Sequence, residues 1–169
     1  FRPEVKNALS KQTIAEIDRA FAEFAENDAV KGVVFTSFDG ALAGADILEL
    51  ARLPDAESAR NICNETHPVM MRMARYNKPI VAALAGPVMG GGAEFSMACH
   101  ARVVAPNLLM SQPEVNLGII PGYGGSMRLP RLIGLEKAND MLRAGTPIGA
   151  EQAHSWGWAN AVDKDPRAA

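Results

Sequence analysis

The sequence predicts an α/β fold built around a parallel sheet, from three observations. Segments of helical period alternate with short β-branched or apolar runs. Those runs, residues 30–36 and 79–86 above all, hold unbroken apolar stretches (33–35 and 80–85), as expected of strands covered on both faces. The second runs into Gly90-Gly91-Gly92 and from there into another helix.

In order, Arg2 to Asn7 is a turn-rich lead-in. Ser10 can cap the helix that follows, with Thr13 as a weaker start. Ile14, Ile17, Phe21 and Phe24 give that helix one buried face, and it ends near Asn27-Asp28. Residues 30–36 read as a buried strand and 37–44 as a loop. A short helix begins at Ala45 and is broken by Arg52-Leu53-Pro54-Asp55. Residues 56–76 form a long helix, with Met70 and Met73 as core filler. Pro68 predicts a kink or break in it. Residues 79–86 are the second strand and 90–98 a buried helix. Strands at 101–105 and 108–111 follow, then a helix at 126–133 interrupted by Pro130. A helix at 135–143 is stopped by Gly145, another spans 150–155, and a last strand spans 158–162. No repeat, linker or low-complexity segment divides the 169 residues, so one domain is expected.

Composition narrows the function. A net charge of −2 gives no electrostatic basis for binding nucleic acid or an anionic membrane. The apolar run 80–89 is broken by Gly86 and Pro87 and is too short to span a bilayer. Without a signal peptide the expected location is cytoplasmic. Cys63 and Cys99 lack metal or redox spacing and read as reduced core residues; no metal site is expected. Phe1-Arg2-Pro3 is not a translation start, and residues 163–169 trail off after a strand, which points to a fragment of a longer chain.

The chemistry concentrates between Pro79 and Gly125. Glycines at a strand-to-helix junction let a ligand approach unpaired N–H groups at the positive end of a helix. No Lys-Ser/Thr follows them, which excludes a phosphate loop, and the dinucleotide spacing is absent. Stabilisation of a developing oxyanion remains. Glu94 lies in the first turn of that helix, three residues after Gly91. Alone it would do no more than complement the helix dipole. A second carboxylate, Glu114, follows Pro113 in a Gly/Pro-rich segment. Two carboxylates around one substrate can divide acid and base roles.

These residues resemble the crotonase (enoyl-CoA hydratase/isomerase) superfamily. The matching pieces are Arg2-Pro3 with Asn7-Ala8-Leu9, then Ala43-Gly44-Ala45-Asp46-Ile47, Lys78-Pro79-Ile80-Val81-Ala82-Ala83 and Gly90-Gly91-Gly92-Ala93-Glu94. Gln112-Pro113-Glu114 and Leu117 through Gly125 complete the series, in the family's order and spacing. The resemblance implies the crotonase-like (ClpP/crotonase) fold, a spiral of ββα units, here lacking its N-terminal hairpin and C-terminal helices. It implies binding of acyl-CoA thioesters, with coenzyme A as part of the substrate and no separate cofactor. The oxyanion donors would be the amides of Ala45 and Gly91. Glu94 would help activate a water for attack at C3, Glu114 would deliver a proton to C2, and the Gly122 amide would help hold the water. Ala43, Asp46 and Ile47 match a loop over the CoA adenine and pantetheine, and Val5 a second CoA contact. Loop packing alone would also account for Ala43 and Ile47. Arg2 and Lys6 are candidates for the CoA phosphates.

Two departures stand out: His100 follows Cys99 where an Asp is usual, and Ser111 precedes Gln112 where glycine is common. The first predicts altered packing or substrate shape. The expected activity is syn hydration of a 2-enoyl-CoA. Double-bond isomerisation is the alternative, and a non-catalytic acyl-CoA-binding or oligomerisation module is an alternative of another class. The resemblance also implies a homotrimer or dimer of trimers, and residues 118–131 resemble the hydratase half of multifunctional fatty-acid oxidation enzymes, with a fused or associated 3-hydroxyacyl-CoA dehydrogenase.

Overall fold

The backbone turns from one sheet into a second, and that corner sets up the site. A computed structural model describes residues 3–5 and 7–169. The first sheet is wholly parallel, in the order β1 (Val33–Phe35), β2 (Ile80–Leu84), β4 (Ala101–Val104), β7 (Ala161–Val162). The second is β3 (Pro87–Met89), β5 (Leu109–Ser111) and β6 (Ile148–Gly149), with β3 parallel and β6 antiparallel to β5. The segment expected as one strand at 79–86 therefore stops at Leu84, bends at Gly86 (φ +60°) and continues as β3. The β4-to-β5 connection makes the matching corner, where Asn107 Oδ1 accepts the Gly86 N–H at 3.3 Å. Each strand pair leads into a helical segment: α4 (Gly91–Ala98) after β3, and a 3-10 turn (Pro113–Leu117) after β5.

The remaining helices cover the sheets. α1 (Lys11–Glu26) is capped as expected by Ser10, whose Oγ accepts the Thr13 N–H at 3.1 Å. Its buried stripe is narrower than expected: Ile14 and Phe21 are buried, but Phe24 is 36% exposed. β1 is shorter than 30–36 and is not buried on both faces. It pairs only with β2, and Val34 faces outward at the sheet edge. α2 (Ile47–Leu50) starts on Asp46, which accepts the Leu48 N–H at 3.1 Å.

α3 (Ala56–Ala74) runs through Pro68 without a break, and α5 (Gly125–Ile133) runs through Pro130. Each proline deprives the carbonyl four residues earlier of its N–H partner. Those carbonyls belong to Asn64 and Ser126, both exposed residues, so water can take the bond. α6 (Leu135–Ala144) ends on Gly145 with φ +66°, and α7 (Ala150–Ser155) matches its expected bounds. The last strand is only β7; Trp158 before it is fully buried.

α4 lies inside the core, every residue buried, with Phe95 in the same buried cluster as Met70, Met73, Ile80 and Leu84 of α3 and β2 and stacked on Phe35 of β1. Its apolar sequence suits that position. Arg102 is also buried, donating to the carbonyls of Trp158, Cys99 and Ser96 at 2.5, 3.1 and 3.3 Å. His100 stays outside the core and away from the cleft described below. Its Nδ1 accepts the Ile80 N–H at 2.9 Å, closing the start of β2. The departure at this position thus falls on strand-end packing, outside the cleft.

Candidate active site

A cleft of about 1620 Å³ opens between the 43–50 segment, α3, the start of α4, the 3-10 turn and residues 117–131. Its volume exceeds the roughly 300–1,000 Å³ typical of pockets for drug-sized ligands. Glu94 and Glu114 both line it.

Glu94 is 1% exposed. Its Oε1 accepts the Tyr123 N–H at 2.9 Å and the Gly125 N–H at 2.5 Å. The glycine-rich segment thus wraps one oxygen of the carboxylate, while Oε2 accepts from no protein donor among the described residues. Burial pushes the Glu94 carboxyl up to about 7. The Glu114 charge adds to that rise; the two N–H donors and the Arg128 guanidinium oppose it.

Glu114 sits in the first turn of the 3-10 helix, with Pro113 before it fixing the entry. It is 7% exposed, and burial raises its carboxyl above the usual range. The Gln112 side chain, with its amide nitrogen turned to the carboxylate as the surrounding acceptors require, donates to Oε1 and Oε2 at 3.0 and 3.2 Å. Gly90, at φ +49°, must lack a side chain: a Cβ there would stand 2.9 Å from Glu114 Oε1.

The two amides come from segments far apart in sequence. Leu9 N–H bonds to Gly44 O at 3.0 Å and Asp46 N–H to Leu9 O at 3.2 Å. In such a parallel bridge the intervening Ala45 turns its own N–H the other way. Gly91 opens α4, so its N–H has no intrahelical acceptor. Among the described residues neither N–H donates to a protein acceptor. They are close: a Cβ on Gly91 would lie 3.0 Å from the Ala45 nitrogen, and one on Gly44 would lie 3.1 Å from the Gly91 nitrogen. Gly92 is what lets α4 approach. A Cβ there would fall 2.2 Å from Leu42 O and 2.9 Å from Ala43 O. The arrangement offers two aimed donors beside two buried acids, the parts needed to stabilise an oxyanion while moving a proton.

Residues 1–167 match the family described as Enoyl-CoA hydratase/isomerase. The chain belongs to that family. Relatives include the fatty acid oxidation complex subunit alpha of Shewanella frigidimarina, 38% identical over 163 residues, covering 94% of this chain and 23% of that protein. A probable enoyl-CoA hydratase of Bacillus subtilis is 35% identical over 161 residues, covering 94% of this chain and 62% of that one. The crystal structure of enoyl-CoA hydratase from Thermoplasma volcanium superposes with a TM-score of 0.92 at 31% identity, over 97% of this chain and 66% of that one. The chain thus spans less than two thirds of the length of each.

The family resemblance had singled out further positions. Val5, Ala43, Asp46, Ile47 and Gly122 all line the cleft. Ile47 is an exposed apolar side chain on the rim, whereas the Asp46 carboxylate is engaged in capping α2. Gly122 presents its carbonyl to His67 Nε2, which donates at 2.8 Å. His67 thus lines the cleft and ties α3 to the Gly122 segment. Arg2 and Lys6 lie outside the described residues. Cys99 is in the core as expected, but Cys63 is not: it is half-buried in the cleft wall, where a Cβ on Gly122 would stand 2.9 Å from its Sγ.

Other enoyl-CoA hydratase/isomerase features escape the sequence reading. Tyr123 and Gly125 hold Glu94 through their main chain, and Gln112 holds Glu114 through its side chain. Arg60, Arg75, Arg128 and Arg131 place cations along the cleft. The run Gly122-Tyr123-Gly124-Gly125 was the available signal for the first two; scattered arginines on helices carry none.

Proposed function

We propose that this chain carries the site of an enoyl-CoA hydratase, adding water syn across the double bond of a 2-enoyl-CoA thioester. The observation behind the reading is the convergence of two buried glutamates from separate elements on one cleft, beside two N–H groups with no protein acceptor among the described residues.

In this reading the thioester oxygen lies between the Ala45 and Gly91 amides. A water sits between Glu94 and Glu114, with the Gly122 amide as a further contact. The water passes a proton to Glu94 while its oxygen bonds to C3. The π electrons move toward C1, and the negative charge collects on the thioester oxygen. Glu114 then gives its proton to C2, and the electron pair returns to make the C2–H bond. Glu94 ends protonated and Glu114 ionised, so one proton passed back between them resets the pair. Attack and protonation come from the same side, hence syn addition. Both carboxyls are raised by burial, and two like charges in one pocket cannot ionise independently. One proton near neutral pH therefore belongs to the pair as a unit, rather than to either residue. Two aimed donors matter because a lost one costs about 3–4 kcal/mol of barrier.

Coenzyme A enters as part of the substrate, over the loop of Ala43, Asp46 and Ile47 with Val5 beside it, and the cleft arginines suit its phosphates. The multifunctional relatives support a place in fatty-acid oxidation, with a dehydrogenase fused or associated. A homotrimer or dimer of trimers in the cytoplasm completes the reading. The test is product analysis of the full-length protein with a 2-enoyl-CoA and a 3-enoyl-CoA. A 3-hydroxyacyl-CoA from the former supports hydration. Interconversion of the two enoyl thioesters without hydration means an isomerase, and tight binding with no product means a binding module.

A further inference from the structure

The Tyr123 ring fills the space between the oxyanion side of the cleft and the acid side. It is 5% exposed. Its Cδ2 and Cε2 lie 3.0 and 3.1 Å from where a Gly91 side chain would begin, so the ring rests directly on the Gly91 backbone. It meets Phe95, the neighbour of Glu94 on α4, edge to face, with centroids 6.2 Å apart and planes at 85°. The Thr66 side chain on α3 lies near its phenol. The Thr66 hydroxyl donates to Ile62 O at 2.8 Å. The main chain of the same residue donates to Glu94 Oε1 at 2.9 Å, and its carbonyl accepts from Arg128 Nη1 at 3.0 Å.

We propose that the Tyr123 side chain is a positioning residue, wedged between Gly91, Phe95 and Thr66 so that the Gly91 amide and the Glu94 carboxylate keep a fixed separation. The inference rests on the hydration reading for its kinetic consequence, though not for its geometry. An aromatic ring has only two side-chain torsions, and this one is held against the Gly91 backbone and the Phe95 ring. Without it, the start of α4 loses its neighbour beside Gly91, and water gains access to Glu94. A displacement of about 1 Å at a reacting group costs about 10²-fold in rate. The charged and titratable groups acting on Glu94 are Glu114 from the 3-10 turn and Arg128 from α5; the Cys63 and Tyr123 side chains lie within electrostatic reach.

The experiment compares Tyr123→Ala, Tyr123→Leu and Tyr123→Phe in the full-length protein, reading kcat and KM for hydration and, separately, the titration of Glu94 by carboxyl NMR. Loss of the ring lowers kcat about 10²-fold with KM within about threefold, and moves the Glu94 midpoint toward the ordinary carboxylate range. The phenylalanine variant, which keeps the ring, recovers both. Loss of stability alone would shift the melting temperature without moving the Glu94 midpoint. If the alanine variant does not fold, the leucine variant, which fills the space without a ring, carries the test. A folded Tyr123→Leu protein with wild-type kcat and a wild-type Glu94 midpoint overturns the proposal. A wild-type protein that hydrates nothing overturns the hydration reading, and the Glu94 titration then decides the positioning role on its own.

Discussion

Gly92→Ala should damage turnover far more than its single methyl group implies. The new Cβ would stand 2.2 Å from Leu42 O and 2.9 Å from both Ala43 O and Leu42 C, all main-chain atoms with no rotamer to yield. Relief to ordinary contact requires α4 to retreat about 1 Å from the 42–45 segment. Overpacking of this kind costs about 1–3 kcal/mol of stability. The same retreat draws the Gly91 amide away from the Ala45 amide. Losing one oxyanion donor lowers kcat about 10²–10³-fold. The assay follows loss of the enoyl-thioester absorbance at fixed pH, with a thermal melt to establish folding. The expected result is a folded variant with kcat down at least about 10²-fold and KM within a few fold, because the donors act most strongly on the charge that develops in the transition state. A folded Gly92→Ala protein with wild-type kcat would refute the idea that this backbone contact sets the donor pair.

Two further outcomes follow. Burial pushes the Glu94 carboxyl up to about 7 from an ordinary 4.5, so the carboxylate pair holds an extra proton in the folded state between those values. That contribution to stability is full below about pH 4.5 and is lost as pH rises through 7, on the order of 3 kcal/mol in all. Glu94→Gln, which stays neutral, should therefore gain stability relative to wild type as pH goes from 4 to 8; a pH-independent difference in denaturant midpoint would contradict this. Cys63, half-buried in the cleft wall with its thiol pushed up by burial and by the Glu94 charge, should be alkylated by iodoacetamide at alkaline pH and protected by an acyl-CoA. Cys99, buried with its thiol pushed up to about 12, should stay unlabelled in the folded protein, and mass mapping of the labelled peptides checks both.

The most readable part of the sequence was the part where side chains are forbidden. Gly90-Gly91-Gly92 signalled a close backbone approach, and the structure supplies the atoms approached: Glu114, the Ala45 amide and the Leu42 carbonyl. Ser10 and Gly145 marked helix ends correctly because capping is local. The split into two sheets was not legible, since β3, β5 and β6 are two or three residues long and carry no period. Pro68 and Pro130 do not end their helices, because the cost of the lost bond depends on whether the orphaned carbonyl faces water, which is a tertiary fact. Glu94 and Glu114 stood out by motif, whereas Tyr123 and Gly125, which hold Glu94, are brought in by folding from another segment; Gln112 lies in the same motif as Glu114, but its hold on the carboxylate shows only once the side chains are placed.

The central claim is that Glu94 and Glu114 act as one acid–base unit on a single water. Its most direct test is kcat for hydration of a short 2-enoyl-CoA by Glu94→Gln, Glu114→Gln and the double variant. General acid–base groups contribute about 10²–10⁴-fold each. Members of one unit are not additive, so the double variant should fall no more than about tenfold below the worse single one. Wild-type turnover in either single variant, with folding intact, would contradict the account.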